Sequence, residues 1–176
     1  MAVSEVAGRG RNAGAIKKTV AALTAAFGNR VVTSQAVREQ HGNTVTWIAN
    51  QPPDVVVFPQ STEEVQQIVR ICAENGVAII PYGVGTSLEG HVNAPVGGVS
   101  IDFRDMNRVL AVNAGDFDCI VEPGITRKKL NEHLRDQVET TGGSPKLTKR
   151  EVELVRFVLE RPGGWGPELQ APPSTE

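Results

Sequence analysis

Cysteine is scarce in this chain. Only Cys72 and Cys119 occur among the 176 residues, each inside an apolar segment and neither with ligand-type neighbours at metal spacing. That argues against a disulfide framework or a zinc site and reads both as small buried hydrophobes in a reducing compartment. A cationic excess is also missing: 18 Lys and Arg stand against 20 Asp and Glu, a net charge of −2. Nothing is left over to neutralise a nucleic-acid backbone, so nucleic acid is not expected as a partner. No apolar run approaches the length that a transmembrane helix needs. What remains, with 40% hydrophobic and 22% charged residues, is the composition of one globular domain of ordinary size.

The amino terminus carries Arg9, Arg11, Lys17, Lys18 and Arg30 against the single acid Glu5, a balance found in mitochondrial transit peptides. Yet Ile16, Val20, Leu23 and Phe27 form one apolar stripe at helical spacing and Gly28 follows as a stop, so Ala15 to Phe27 reads better as an amphipathic helix. From residue 55 the signals alternate. Val55-Val56-Val57-Phe58, closed by Pro59, reads as a strand buried on both faces. Ser61 and Glu64 form a capping box that opens a helix with apolar positions Val65, Ile68, Val69 and Cys72 and a left-handed stop at Asn75-Gly76. Val77 to Pro81 is a second strand, and the two are expected to run parallel in a βαβ unit.

Val99 to Phe103 alternates apolar and polar residues and reads as a half-exposed strand. Arg108–Asn113 and Cys119–Pro123 flank a segment with glycine and aspartates suited to a hairpin or bulged turn. Thr126 can cap a helix from Arg127 to about Asp136, with Leu130 and Leu134 facing inward. The pattern is α+β, a small mixed sheet with flanking helices. Beyond Gln137 the texture changes: residues 138–176 hold five glycines and five prolines, well above an average share. Only a helix over about 149–160 is expected there, with a disordered end.

The most informative stretch is Pro81-Tyr82-Gly83-Val84-Gly85-Thr86-Ser87-Leu88-Glu89-Gly90-His91. Three glycines and two adjacent hydroxyls directly after a buried strand let main-chain amides converge on an anion, phosphate above all. The stretch lacks the Gly-x-Gly-x-x-Gly register of Rossmann dinucleotide sites and the lysine of a P-loop. On spacing alone, a phosphate cradle and a tight turn between two strands both stand.

This loop, together with Val57-Phe58-Pro59, Ser61-Thr62-Glu63-Glu64-Val65, Ile101-Asp102-Phe103-Arg104-Asp105-Met106-Asn107-Arg108 and Val121-Glu122-Pro123-Gly124, resembles the first half of the FAD-binding domain of the vanillyl-alcohol oxidase/p-cresol methylhydroxylase (PCMH-type) flavoproteins. Within that superfamily it is most similar to the FAD-linked D-lactate dehydrogenase and glycolate oxidase subunit group, over about residues 15–137. The resemblance implies FAD as cofactor. It implies that the amides of Gly83, Val84, Gly85, Thr86 and Ser87 wrap the pyrophosphate, and that Pro59, Pro123 and Gly124 line the adenine side. Tyr82, Gly90 and His91 complete the expected cofactor-binding set. Some members of the superfamily tether flavin through a histidine near this loop. The D-lactate group holds FAD noncovalently, and His91 is read as a loop residue.

No catalytic residue or metal ligand is expected in this chain. His133 and His41 read as solvated, Arg104 and Asp105 as a local pair, and Glu122 as a strand-edge carboxylate, none at a spacing that implies acid/base chemistry. The family's continuation after the equivalent of Arg127–Asp136 is not matched by Val138-Glu139-Thr140-Thr141-Gly142-Gly143. The expected organisation is therefore an amino-terminal helical segment (1–50), the first half of the FAD-binding domain (51–137) and a divergent tail (138–176). The expected function is the FAD-binding portion of a flavin-dependent 2-hydroxy-acid dehydrogenase, with D-lactate as the expected substrate, inactive alone, with its electron acceptor undefined by these motifs. The alternative is a nonenzymatic nucleotide- or anion-binding or protein-interaction module. A cytoplasmic location is expected, with peripheral membrane association open to the full-length family and a mitochondrial one if the source is eukaryotic.

Overall fold

The computed structural model describes residues 10–44, 47–113 and 118–140; the expected helix at 149–160 and the tail beyond it lie outside the described residues. The chain divides into two compact units, one comprising Met1–Arg108 with Val121–Thr126, the other Val109–Ile120 with Arg127–Glu176. In the first unit α1 (Ala13–Phe27) is capped by Asn12, whose side chain accepts from the Ala15 amide. A 3-10 turn at Gly28–Arg30 leads into the short β1 (Val31–Val32), and α2 (Gln35–Gly42) follows. The sequence had announced neither β1 nor α2. Next come β2 (Val55–Val57), α3 (Thr62–Asn75), β3 (Ile79–Tyr82) and β4 (Val99–Asp102). The capping box at α3 is formed: the Glu64 amide donates to Ser61 Oγ (3.3 Å), while the Glu64 carboxylate accepts from the Gln60 amide (2.7 Å). Gly76, in the left-handed region at φ 63°, closes the helix.

The four strands form one mixed sheet in the order β1-β2-β4-β3. β1 runs antiparallel to β2, and β2 and β3 each pair parallel with β4. The two strands of the expected βαβ unit are thus parallel, with β4 inserted between them. One face, carrying Val55, Val57, Val99 and Ile101, packs against Leu23 and Phe27 of α1 and Ile68 and Cys72 of α3. Strand alternation puts Val56, Ser100, Ile80, Asp102 and Tyr82 on the other face, where the carboxyl end of α2 lies against it.

One expectation fails here. β4 is not half-exposed: all four of its residues are buried, Ser100 and Asp102 included. Alternation of polar residues marks a solvated face only when nothing covers it, and here His41, at the end of α2, packs on Asp102.

Arg30 ties the start of β1 to α3, with Nη1 and Nη2 donating to the two carboxylate oxygens of Glu64 at 2.6 and 2.7 Å and Nη1 also to the Phe58 carbonyl. The guanidinium holds the Glu64 carboxyl below the usual carboxylate range. β5 (Val109–Asn113) and β6 (Asp118–Val121), in the second unit but for Val121, form a two-stranded sheet, as the expected hairpin requires, and α4 of the second unit runs Arg127–Thr140, beyond its expected end. Leu130 and Leu134 are half-buried.

Candidate cofactor site

Because β2, β3 and β4 are parallel, their carboxyl ends lie along one edge of the sheet, the edge at which open α/β sheets place ligands. Pro59, buried, stands just past β2, and Tyr82 ends β3 opposite Asp102 of β4. The glycine loop leaves from this edge. Among the described residues, no amide from Gly83 to Ser87 is engaged by a backbone or side-chain acceptor, so five consecutive donors are available to a ligand. Gly83, Val84 and Thr86 are exposed and Gly85 and Ser87 half-buried; the Ser87 hydroxyl accepts from the Glu89 amide at 3.3 Å. Gly85 sits at φ 69°, where a side chain is strained. A Cβ there would also strike the Tyr82 phenol, 2.8 Å from Cζ. Gly90 is half-buried and His91, beyond it, is exposed.

Gly124 reaches the same edge from the far end of the unit. Its amide donates to the Met106 carbonyl (2.8 Å), and a Cβ would overlap the carbonyl of Phe103, the residue after β4. Its neighbour Pro123 is exposed. The expected cofactor set is therefore gathered at one edge as far as Pro59, Tyr82, Gly83 to Ser87 and Gly124 are concerned.

A profile of the family described as "FAD binding domain" matches residues 53–148. The chain belongs to that family. Among curated proteins this FAD-binding domain is similar to a probable mitochondrial D-lactate dehydrogenase of Danio rerio, 46% identical over 123 residues that make up 69% of this chain and 25% of that protein. It is also similar to a mitochondrial D-lactate dehydrogenase [cytochrome] of Arabidopsis thaliana, 56% identical over 84 residues, 48% of this chain and 15% of that one. Among solved structures, p-cresol methylhydroxylase with substrate bound superposes with a TM-score of 0.61 at 23% identity, covering 73% of this chain and 26% of the other. That likeness establishes the PCMH-type fold, mixed α+β as expected. The chain spans about a quarter of the length of the zebrafish relative.

The residues present fit FAD. A diphosphate needs several donors and a main chain it can approach, and the amides of Gly83 to Ser87, unengaged among the described residues and with no Cβ at 83 and 85, suit both needs. No positive side chain lies in this stretch, in keeping with recognition by backbone dipoles. Burial pushes the Tyr82 phenol's pKa up and the charge of Asp102 adds to that, against a smaller opposing effect of Arg104. The phenol hydroxyl has no hydrogen-bond partner among the described residues.

Three polar residues differ from expectation. His41 is not solvated but fully buried. Nε2 lies 2.9 Å from Asp102 Oδ2 and Nδ1 2.8 Å from the Val37 carbonyl, and the ring lies against Tyr82 with centroids 4.2 Å apart. Arg104 turns to Asp102 rather than to Asp105, donating from its amide (2.9 Å) and from Nε (2.8 Å), and its guanidinium lies 4.5 Å from the centre of the Phe58 ring. Glu122 is buried rather than at an open strand edge, accepting from the Arg108 amide (2.8 Å) and Nε (3.0 Å). Burial would raise the Asp102 pKa, but hydrogen bonds from His41 and Arg104 outweigh it and hold it below the usual range. Each carboxylate is committed to an arginine. Among the described residues there is no cluster that could hold a metal ion, and no helix is long and apolar enough to cross a membrane.

Proposed function

We propose that this chain is the cofactor-binding part of a flavin-dependent dehydrogenase of 2-hydroxy acids, D-lactate first among them, and that it holds FAD noncovalently. The run of unengaged amides from Gly83 to Ser87, at the carboxyl edge of the parallel strands in a chain 46% identical to a probable D-lactate dehydrogenase, is the observation that carries this reading. FAD, when bound, supplies the hydride-accepting chemistry of such a reaction. The chain's own part is to bind and orient. Gly83 to Ser87 donate main-chain amides to the pyrophosphate oxygens, the Thr86 and Tyr82 hydroxyls add donors beside them, and Pro59, Pro123 and Gly124 border the adenine side, with Gly90 and His91 completing the loop.

Oxidation of the substrate itself is assigned to residues outside this chain; the two buried carboxylates among the described residues, Asp102 and Glu122, are committed to Arg104 and Arg108. In the same reading residues 51–137 are the cofactor half, 1–50 an amino-terminal helical segment and 138–176 a divergent tail. The compartment is mitochondrial in a eukaryotic source, as it is by name for the zebrafish and Arabidopsis D-lactate dehydrogenases.

The test is titration of the purified chain with FAD, followed by flavin fluorescence. Saturable binding is expected, and Gly85→Val is expected to abolish it, because a β-branched side chain at positive φ adds about 1–3 kcal/mol of strain and closes the main chain to the ligand. Undiminished FAD binding by Gly85→Val would reduce the loop to a turn.

A further inference from the structure

We propose that His41 is a positioning residue for the cofactor loop and that it acts through the ring of Tyr82; this rests on the reading of the loop as an FAD cradle. The first link is between the loop and the phenol. A Cβ on Gly85 would run into the Tyr82 hydroxyl and come 2.8 Å from Cζ, so the Tyr82 ring lies directly against the loop's main chain, and the place of the phenol sets the place of Gly85. The second link is between the phenol and His41. Their ring centroids are 4.2 Å apart with planes tilted by 42°, an offset contact typical of aromatic pairs.

The third link fixes the imidazole. Both ring nitrogens are occupied, Nε2 at 2.9 Å from Asp102 Oδ2 and Nδ1 at 2.8 Å from the Val37 carbonyl of its own helix, and the Phe58 ring packs nearly perpendicular to the imidazole with centroids 6.2 Å apart. Asp102 is itself held by Arg104 and lies in register opposite Tyr82 on the neighbouring strand. The Tyr82 ring is therefore backed by a group that cannot turn, and its hydroxyl has no hydrogen-bond partner among the described residues. A ring confined in this way presents its hydroxyl and the overlying amides without the entropy loss that a free side chain and loop incur on binding. In this assignment His41 acts on the loop through Tyr82 and does not touch the cofactor.

A buried histidine that merely fills the core predicts a different outcome from one that positions a loop, and the comparison is made on the full chain. Tyr82 is the chain's single tyrosine, so tyrosine ring-carbon labelling gives one NMR signal that reports it alone. FAD is expected to shift that signal. His41→Gln is expected to bring the ligand-free signal toward the position of an unpacked tyrosine and to weaken FAD binding about tenfold, the scale of one aromatic pair. Tyr82→Leu is expected to weaken binding comparably, and the double variant no further than Tyr82→Leu alone. His41→Phe keeps a ring but loses both polar contacts. It is expected to be less stable to heat than His41→Gln yet to bind FAD more tightly, an inversion that a purely structural role does not produce.

Additive losses in the double variant, affinities that follow thermal stability, or a tyrosine signal unmoved by bound FAD would each overturn the proposal while leaving the cradle intact. The last of these needs no variant to fold. Absence of any saturable FAD binding by the unmodified chain would overturn the cradle, and this inference with it.

Discussion

Asp102 is the carboxylate whose removal should cost most. It is 1% exposed, and its oxygens face the Arg104 amide at 2.9 Å, Arg104 Nε at 2.8 Å and His41 Nε2 at 2.9 Å. Asp102→Ala leaves the fully buried His41 ring without its partner and opens a small void, while Arg104, half exposed, can return to water. Breaking a buried polar cluster from one side costs about 3–5 kcal/mol. In a chain of this size each kcal/mol lowers Tm by about 2–4 °C, so a drop of roughly 10–15 °C is expected. Asp102→Asn keeps the shape and one acceptor but turns an amide donor toward some of the four donor atoms that face this carboxylate; about 1–3 kcal/mol is expected.

The pH dependence has a definite sign. Folding lowers the Asp102 pKa below its ordinary 3.8, so the ionised carboxylate is favoured by the native state. Its contribution is complete above the ordinary carboxylate range and is lost as pH falls through the depressed native value. Urea unfolding from neutral pH to below pH 4 should show wild-type stability declining more steeply than that of Asp102→Asn. A loss under 1 kcal/mol in Asp102→Ala, or parallel pH profiles for the two proteins, would refute the reasoning.

The two thiols should separate under a thiol reagent at pH 8. Cys72 lies in the core and burial pushes its pKa up to about 11, so Cys119, half-buried, is expected to react first and Cys72 only on unfolding; equal labelling rates in the native protein would contradict the packing of α3. Gly124→Ala should lower the urea midpoint by an amount worth about 1–3 kcal/mol, because its Cβ would overlap the Phe103 carbonyl and lie 2.9 Å from that of Met106; an unchanged midpoint would show that the Phe103–Met106 turn yields freely.

Elements whose signals are local were legible in the sequence. The Ile16, Val20, Leu23, Phe27 stripe foretold α1, Ser61 with Glu64 foretold the start of α3, and Asn75-Gly76 its end. The glycine loop was legible for the same reason, since glycines and hydroxyls within a few positions of a strand define it. What escaped depends on distant partners. Nothing near His41 in sequence points to Asp102, which lies 61 positions away, so a histidine in a polar stretch looked solvated. Without that partner in view, Asp102 and Ser100 made β4 look half-exposed. The short β1 has two residues, too few to carry a periodicity, and its place in the sheet depends on β2 and on the Arg30–Glu64 pair.

The position of β4 between β2 and β3 has a consequence for how the molecule is made. β2 and β3 share no ladder; both parallel pairings run through β4, which is the last of the four strands to leave the ribosome. Until Val99–Asp102 has emerged, β3 has no neighbour to pair with, and the glycine loop between β3 and β4 is anchored at only one end. Its shape is therefore settled after the helices and outer strands of this unit have been synthesised, when the insertion of β4 draws both ends of the loop to the same sheet. A nascent chain stalled before Val99 would leave β3 unpaired and β2 with only the two-residue β1 beside it, apolar edges open to chaperones, and it would have no cradle to offer a cofactor.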